Sequence, residues 1–226
     1  PFAKSLAESF INYDDSHSIV TGLYGKWGTG KSSVVNMCIE HIGELAKNLP
    51  KKEKPIVIKF NPWNYSDQNQ LTSQFFKQLS LGLLAAATSK VMKRVGFATR
   101  KWGELKKKDL EATRKDLDRI LEKQKRKIVI IIDDIDRLNS TEIRQMFQLV
   151  KLLGDFPNTI YLLAFDREIV VESLKSVQEG VGDEYLEKIV QIPFELPAID
   201  KKEVEKLLYS QIDELISAIP EERWDS

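Results

Sequence analysis

Short apolar runs and longer amphipathic runs alternate along the chain. Residues 18–24, 55–60 and 159–164 are short, apolar and rich in β-branched side chains, as strands usually are. Residues 34–42 and 143–150 instead repeat their apolar positions every three or four residues, which predicts helices with one buried face. Strands and helices that alternate in this way, with connections longer than hairpin loops, predict an α/β fold with a mostly parallel sheet.

Residues 128–132 form the strongest predicted strand, because all five are aliphatic and β-branched. Such a strand is usually buried on both faces, so we expect helices on both sides of the sheet and three layers overall. A short fifth strand is predicted at residues 188–192, and a final helix from about Lys201. Asn139 and Glu142 have the spacing of a capping box, which predicts that a helix begins there.

A glycine-rich segment joins the first predicted strand to the next helix and matches the pattern G-x-x-x-x-G-K-[ST]. Glycines let the backbone curl until successive N–H groups point at one anion, and the helix adds the positive end of its dipole. Lys31 could then reach the β- and γ-phosphates of a nucleotide, while the Ser32 hydroxyl could bind Mg²⁺. An accidental glycine-rich turn is the alternative, which the flanking strand and helix disfavour. The predicted nucleotide-binding residues are Gly25, Lys26, Trp27, Gly28, Thr29, Gly30, Lys31, Ser32 and Ser33.

Acidic residues follow the strongest predicted strand. Asp133, at the strand tip, is predicted to hold Mg²⁺ together with Ser32, and Asp134 to polarise the water that attacks the γ-phosphate. Strands often end in aspartates, so these two carboxylates alone are weak evidence for a catalytic site. Together with the phosphate loop they become strong evidence. For Asp136 and Arg137 the simpler expectation is an ion pair that fixes the turn.

The two motifs are separated by a further predicted strand, residues 55–60. This arrangement resembles the branch of P-loop proteins in which another strand lies between the phosphate loop and the magnesium-binding acid. In that branch the neighbouring acid usually activates water, which favours hydrolysis over phosphoryl transfer to a small acceptor. The chain lacks the [NT]-K-x-D element with which GTPases bind guanine, so we expect ATP.

Charge is balanced over the whole chain but not locally. Basic and acidic residues number 34 each, which points to no particular class of partner. Residues 90–127 carry 15 basic and 6 acidic side chains, whereas residues 166–226 carry 7 basic and 16 acidic ones. Such runs are most often solvated helix faces. A nucleic-acid surface in the basic segment is the alternative, although only Phe97 and Trp102 could stack on bases there.

Three further features limit the possible classes. Cys38 is the only cysteine, which excludes an intramolecular disulfide and suits a reducing, cytoplasmic location. His17 and His41 have no cysteine partners at metal-ligand spacing, so we expect no zinc site. The uncharged stretch 78–89 is shorter than the roughly 20 residues that a bilayer span needs, so it predicts a buried helix and no membrane span.

Several segments together form a more specific pattern. The pattern includes a tryptophan inside the phosphate loop and an Asn-x-Trp element after the second strand. It resembles the KAP family of P-loop NTPases over nearly the whole chain. Besides the phosphate loop, the matching segments are residues 60–63 (Phe-Asn-Pro-Trp), 133–138 (Asp-Asp-Ile-Asp-Arg-Leu), 164–167 (Ala-Phe-Asp-Arg) and 185–194.

The resemblance implies an architecture. It implies a strand order of 5-1-4-3-2 and a helical lid after the last strand, hence a nucleotide-binding core at residues 1–197 and the start of the lid at 198–226. A helical, basic insertion would occupy residues from about 69 to 127. Family members often carry transmembrane helices between the two motifs, but residues 79–102 are too short and too basic to span a membrane. The absence of an initial Met and the stop after one lid helix suggest a fragment of a longer, possibly membrane-associated protein.

The resemblance also implies roles for single residues. Arg167 would be a sensor of the γ-phosphate, with a helix-start residue paired to Asp166 or Glu168 as the alternative. Asn61 and Trp63 would either line the site or pack the loop. Adenine would lie between the segment before residue 18 and the turn at residues 194–197, although no single contact residue can be named.

The expected function is an ATPase switch in a larger signalling or antiviral defence protein. Lys31, Asp134 and Arg167 are the predicted catalytic residues, and Ser32 and Asp133 the predicted metal ligands. One alternative is a nucleotide-gated scaffold that assembles with itself or with partner domains and turns over little ATP. A nucleic-acid-associated ATPase is the other.

Overall fold

Helices and strands alternate in the computed structural model, which describes residues 2–65, 71–86, 121, 126–154, 156–177, 182–196 and 201–217. Single turns of 3₁₀ helix also occur at Ala46–Asn48, Pro62–Tyr65 and Ile135–Arg137. The main elements are α1 (Phe2–Asn12), β1 (Ile19–Tyr24), α2 (Lys31–Leu45), β2 (Ile56–Phe60), α3 (Leu71–Ala85), β3 (Ile128–Ile132), α4 (Ser140–Leu153), β4 (Thr159–Phe165), α5 (Arg167–Val177), α6 (Gly182–Glu187), β5 (Ile192–Glu195) and α7 (Lys201–Ser217).

The five strands form one sheet in the order β2-β3-β4-β1-β5. All four neighbouring pairs are parallel, so the carboxyl ends of the strands meet at one edge. At that edge, Tyr24 of β1 is opposite Phe165 and Glu195, and Ile132 of β3 is opposite Phe60. The predicted α/β fold and the strand order implied by the resemblance are both confirmed.

Helices cover both faces of the sheet because the central strands are apolar on both sides. Ile128, Ile130 and Ile132 of β3 belong to a core cluster shared with α3, α4 and α5. Val129 and Ile131 point the other way, into a second cluster shared with α1 and α2. The alternation along one strand therefore creates the three-layer architecture. Each fully buried aliphatic side chain of this kind contributes about 1.5–3 kcal/mol.

The second cluster also contains the single cysteine. Cys38 lies on the inner face of α2, is completely buried, and has no disulfide partner. Its neighbours in the cluster include Val35 and Ile42 from the same helical face. The side chain therefore acts as a small apolar core residue.

The fifth strand is displaced from its predicted position. β5 is Ile192–Glu195, whereas the sequence pattern placed the strand at residues 188–192. The chain after α6 instead continues in helical turns, with the N–H groups of Ile189 and Val190 donating to the Leu186 carbonyl. Ile189 and Val190 are buried against the first cluster from this turn, so their apolar character reflects packing and not strand pairing.

Side-chain caps fix the starts of two helices. The capping box predicted before α4 is present, with the Asn139 side chain accepting from Glu142 N and the Glu142 carboxylate accepting from Asn139 N. Before α5, Asp166 Oδ1 accepts from Glu168 N at 3.0 Å. Both helices therefore begin directly after the polar turns that follow β3 and β4.

The chain divides into two compact units, residues 1–196 and 197–226. The described part of the second unit is the helix α7. The predicted basic segment, residues 90–127, lies outside the described residues apart from positions 121, 126 and 127. None of the helices that the structure describes combines the length and the apolar character needed to cross a bilayer.

Candidate nucleotide-binding site

The loop between β1 and α2 has the backbone shape expected of an anion-binding loop. Gly28 and Gly30 have φ angles of 83° and 89°, in the left-handed region that glycine adopts at little cost. A Cβ atom would meet nothing within 4 Å at either position, so the backbone conformation alone requires glycine there. Gly30 directly precedes α2 and offers no side-chain cap. The first N–H groups of the helix, which have no acceptor within it, therefore suit an anion.

A cavity of about 270 Å³ opens beside this loop, at the carboxyl edge of the sheet. Residues from two turns line it, one turn after β1 and the other after β3. The fold therefore brings together most of the predicted loop residues and Asp134, as the two motifs required. The described lining residues are Trp27, Gly28, Gly30, Lys31, Ser32, Ser33, Asp134, Asp136 and Arg137.

Not every predicted loop residue faces the cavity. Thr29 Oγ1 donates to the carbonyl of Lys26 at 2.8 Å, which closes the loop on itself. A Cβ atom on Gly25 would lie 2.5 Å from this same hydroxyl oxygen, so the loop is too tight there for a larger residue. Lys26 lies 3.4 Å from Glu168 of α5 in an exposed ion pair, and such pairs contribute little stability. Trp27 reaches the mouth of the cavity with 79% of its surface exposed.

Lys31 is nearly buried and points back into its own loop. Its ammonium group donates to the carbonyls of Gly25 at 2.7 Å and Lys26 at 3.3 Å. It also lies 3.7 Å from Asp136 Oδ2, in an ion pair whose two side chains are almost fully buried. The expected ion pair between Asp136 and Arg137 is therefore wrong, because Asp136 faces Lys31 while Arg137 pairs with Asp134.

Asp133 follows β3 and is 2% exposed. Its Oδ1 accepts from Asp134 N at 3.0 Å, and its Oδ2 lies 3.9 Å from Lys59 Nζ. Burial and, next in size, the neighbouring Asp134 raise the pKa of Asp133, while a hydrogen bond with the Ser32 side chain and the charge of Lys59 partly oppose the rise. The two predicted metal ligands, Ser32 and Asp133, are therefore in contact.

This pair suits a magnesium ion. Both residues offer oxygen atoms, which Mg²⁺ prefers, and a site with one carboxylate is typical when phosphate groups supply further ligands. The raised pKa of Asp133 shows that its negative charge is poorly compensated where it stands. A divalent cation at this point would supply the missing charge.

Asp134 lines the cavity and is held from two sides. Its φ angle is 62°, in the left-handed region that aspartate adopts more readily than most residues. Asn61 Nδ2 donates to its Oδ2 at 2.7 Å, and Arg137 Nε lies 2.8 Å from its Oδ1. Asn61 is not among the described lining residues, but it contacts Asp134, which is, and its Oδ1 also accepts from Trp63 N within its own turn.

Three residues had not been placed in this site from the sequence. Arg137 and Asp136 line the cavity, and Lys59 lies beside Asp133. The sequence could have pointed to Lys59, because it is the one lysine in the otherwise apolar strand β2. The Lys59 ammonium also donates to Asn36 of α2 at 3.0 Å, which ties this helix to the edge of the sheet.

Arg167 lies at the start of α5 but is not among the described residues that line the cavity. Its Nη2 atom lies 2.7 Å from Asp183 Oδ1, and both side chains are partly exposed. The expected pairing with Asp166 or Glu168 is therefore wrong, since those two carboxylates contact Glu168 N and Lys26 respectively. The role of Arg167 as a γ-phosphate sensor stays a prediction.

The last residues before β1 lie at the amino edge of the sheet, opposite the phosphate loop. Residues 16–18 border a second cavity, of about 590 Å³, at the amino ends of β1, β4 and β5. The sequence placed adenine between the segment before residue 18 and the turn at residues 194–197. Phe2 of that segment does lie against Phe194, with ring centres 5.9 Å apart, so this placement stays a prediction. The turn after β5 does lie near the loop, since a Cβ atom on Gly25 would be 3.4 Å from Leu196 Cβ.

Comparison with known proteins identifies the family. The model of the KAP family P-loop domain matches residues 1–226 of this chain. The chain belongs to the KAP family. Membership makes it a P-loop NTPase domain, as the phosphate loop and the Asn-x-Trp element predicted.

A relative of known name is the phage T7 exclusion protein of Escherichia coli (strain K12). It is 23% identical over 245 residues, which cover 86% of this chain and 32% of the relative. This KAP domain therefore spans about a third of the length of that protein.

Solved structures share the fold at low sequence identity. The Orc1 protein of Aeropyrum pernix, solved in complex with DNA, has a TM-score of 0.55 and 13% identity over 94% of this chain and 48% of its own. A Walker-type ATPase of Pyrococcus abyssi has a TM-score of 0.52 and 16% identity over 97% of this chain and 59% of its own. These likenesses concern the fold alone.

Proposed function

We propose that this domain binds Mg-ATP in the cavity beside the phosphate loop and hydrolyses it, as a nucleotide-dependent switch within a larger protein. The observation that carries the proposal is the convergence of three kinds of group on one cavity. A phosphate-binding lysine, a serine–aspartate pair suited to magnesium and a second carboxylate all lie at the carboxyl edge of the sheet. Such an arrangement supplies what phosphoryl transfer to water needs.

Each group has a distinct task. The N–H groups of the loop and of the first turn of α2 bind the phosphate oxygens, and Lys31 adds a positive charge near the β- and γ-phosphates. Ser32 and Asp133 would hold Mg²⁺, which supplies positive charge to the β- and γ-phosphate oxygens when it is bound. Two of the three donors of the Lys31 ammonium are used by the carbonyls of Gly25 and Lys26, so the third donor is the one left for a phosphate oxygen.

Asp134 orients the attacking water. The water oxygen forms a bond to the γ-phosphorus as the bond to the bridging oxygen breaks, and ADP leaves with that electron pair. Asp134 accepts a hydrogen bond from the water and favours loss of its proton. The carboxylate stands in the cavity lining, which supports this role.

An apolar group beside the loop supports a site for the base. The ring of Phe2 in α1 lies 5.9 Å from the ring of Phe194 in β5, in an edge-to-face arrangement. Leu196 N donates to the carbonyl of Tyr24 at 2.8 Å, which fixes this turn beside the start of the phosphate loop. Aromatic rings are good partners for a planar base, so we place the adenine against Phe194.

Phosphate release from the purified domain tests the proposal. The substitution Asp134→Asn keeps the size of the side chain and an oxygen that can accept from Asn61. It removes the negative charge that polarises water. We expect it to lower kcat about 100-fold while magnesium-nucleotide binding, measured by calorimetry, changes little. Equal phosphate release by the two proteins would remove Asp134 from this role.

A nucleotide-gated scaffold with little turnover is the second candidate function. The observation that favours it is the engagement of both Asp134 oxygens, by Asn61 and by Arg137. In that case ATP would change the assembly state without being consumed. Light scattering with ATP and with a non-hydrolysable analogue separates the two, because a scaffold assembles with either nucleotide and releases no phosphate.

The name of the E. coli relative supports a biological context. Because that relative is called a phage exclusion protein, we propose that the full-length protein acts in defence against phage. The efficiency of phage plating on cells with the wild-type protein or the Lys31→Ala variant tests this. Equal plating on both would count against a role for the nucleotide site in defence.

A further inference from the structure

A closed ring of contacts joins the surface residue Trp63 to Asp134. Trp63 N donates to Asn61 Oδ1 at 3.1 Å, and Asn61 Nδ2 donates to Asp134 Oδ2 at 2.7 Å. The other oxygen of Asp134 lies 2.8 Å from Arg137 Nε, and the Arg137 guanidinium lies 5.0 Å from the centre of the Trp63 ring. Two neighbouring turns, one after β2 and one after β3, are thus linked through four residues.

Each link removes a freedom that the next residue would otherwise have. The N–H of Trp63 fixes the oxygen end of the Asn61 amide, so the amino end must point at Asp134. The guanidinium of Arg137 lies over the face of the Trp63 ring, in a cation–π contact. This contact restrains the long, partly exposed Arg137 side chain. Position 63 therefore reaches both donors to Asp134, Asn61 through its backbone N–H and Arg137 through the indole ring.

The turn that carries Trp63 is itself firmly packed. Pro62 is buried, and Tyr65 at the end of the turn stacks on Phe60 with ring centres 5.8 Å apart. The backbone of Trp63 is therefore fixed to β2, while its side chain remains 49% exposed. Trp63 is not among the described residues that line the cavity, so its effect on the site passes through Asn61 and Arg137.

The ring determines how Asp134 faces the cavity. Donors on different oxygens fix the plane of the carboxylate, and each oxygen keeps one lone pair that a water molecule can use. The backbone of Asp134 is in the left-handed region, an uncommon conformation that side-chain contacts help to hold. A carboxylate held in one orientation loses less entropy when it aligns water for attack.

We propose that the Trp63 side chain positions Asp134 for hydrolysis through Arg137, without contacting the nucleotide, while the backbone N–H of the same residue holds Asn61. The inference rests on the proposed ATP hydrolysis. It predicts a defect in kcat and none in nucleotide binding. It also predicts that an aromatic ring is needed at position 63 and that apolar volume alone is insufficient.

A matched set of variants tests this. Trp63→Leu keeps an apolar side chain without a ring face, Trp63→Phe keeps a ring face, and Leu81→Ala removes a comparably exposed apolar side chain from α3. Steady-state phosphate release gives kcat and KM, calorimetry gives Kd for magnesium with a non-hydrolysable ATP analogue, and thermal melting confirms folding. We expect Trp63→Leu to lower kcat about ten-fold with KM and Kd within two-fold of wild type. Trp63→Phe should retain most of the activity, and Leu81→Ala should match wild type.

The outcomes separate this inference from the proposed function. If wild-type protein binds Mg-ATP but releases no phosphate, hydrolysis itself is wrong and the positioning role falls with it. If wild type is active and Trp63→Leu has the same kcat, only the positioning role is wrong. A higher kcat in Trp63→Leu would also overturn it, because the ring would then restrain Asp134 instead of aligning it. A raised KM with unchanged kcat would mean that Trp63 contacts the nucleotide directly.

Discussion

The two edges of the sheet each carry a cavity, yet they differ in the chemistry that they collect. The cavity at the amino edge is the larger, about 590 Å³ against about 270 Å³ at the carboxyl edge. Its described lining residues include no lysine, arginine, aspartate or glutamate. At the carboxyl edge, by contrast, a lysine, an arginine and two carboxylates share the smaller space. Cavity size therefore does not identify the functional site here, whereas the convergence of charge does.

The polar groups at the amino edge mainly hold the strands together. Ser18 donates through its hydroxyl to the Gly154 carbonyl, Gln191 Oε1 accepts from Val20 N at 2.6 Å, and Asn158 N donates to the Ser16 carbonyl at 2.8 Å. At the carboxyl edge the strands instead open into turns whose side chains project into the cavity. In parallel α/β sheets, ligands bind outside the carboxyl ends of the strands, and the candidate site of this domain lies at that same end.

The strongest way to break this contrast is to remove the charge of Lys31. Lys31→Ala should weaken ATP binding about 30-fold, roughly 2 kcal/mol, because it deletes a charge-assisted contact to phosphate. Ser16→Ala at the amino edge is the matched control and should leave binding unchanged. Calorimetry with magnesium and a non-hydrolysable ATP analogue measures both. If Ser16→Ala weakens ATP binding as much as Lys31→Ala does, or if Lys31→Ala binds ATP like wild type, the two edges do not differ in nucleotide binding.

A second prediction concerns the effect of the buried Asp133 carboxylate on the free energy of unfolding. Because the folded protein raises the pKa of Asp133, the fold binds its proton more tightly than the unfolded chain does. The contribution of Asp133 to stability is therefore most favourable at low pH, and it is lost as pH rises from the ordinary value of 3.8 through the raised value. At neutral pH the uncharged Asp133→Asn variant should be more stable by about 1 kcal/mol, a Tm increase of about 2–4 °C.

Melting curves at pH 4 and pH 7 check this prediction. The gain in Tm from Asp133→Asn should be clear at pH 7 and shrink at pH 4, because the raised pKa means that the wild-type carboxyl takes up its proton more readily as the pH falls. The variant should also lose the extra stabilisation that magnesium adds to bound ATP. A lower Tm for the variant at pH 7 would show that the Ser32 and Lys59 contacts outweigh the burial of the charge.

The prediction with the smallest expected effect tests whether the adenine base lies against Phe194 at the carboxyl edge. Phe194→Leu should raise KM for ATP about three-fold and leave kcat unchanged, because the ring contact is lost far from the reacting phosphate. The same variant should change binding of inorganic triphosphate little, since that ligand has no base. If both ligands weaken equally, Phe194 acts on the loop and not on the base.

Local patterns predicted much of this fold because they reflect forces that act over short distances. The five aliphatic residues of β3, the glycines of the phosphate loop and the capping box at Asn139 each have one physically favourable arrangement. The order of the strands came from the family resemblance, since pairing between distant segments leaves no local trace. The apolar residues Ile189 and Val190 misled for a related reason, because burial in a helical turn and burial in a strand select the same side chains.

The partners of charged residues were harder to predict than the elements. Asp136 and Arg137 are neighbours in sequence, but the turn Ile135–Arg137 is a 3₁₀ helix that begins after Asp134. In such a turn residues three apart share a face, so Arg137 meets Asp134 and Asp136 is directed to Lys31. Arg167 and Asp183 meet only because α5 and α6 pack together, which no spacing in the sequence reveals.

The buried position of the single cysteine has a practical use. Burial raises the pKa of the Cys38 thiol to about 12, so almost no thiolate exists at neutral pH and maleimide reagents have no access to it. The folded domain therefore should not react with maleimides itself, which allows site-selective labelling of an introduced cysteine. A Trp27→Cys substitution would place one reactive thiol at the mouth of the cavity, where an attached fluorophore could follow nucleotide entry and exit in real time.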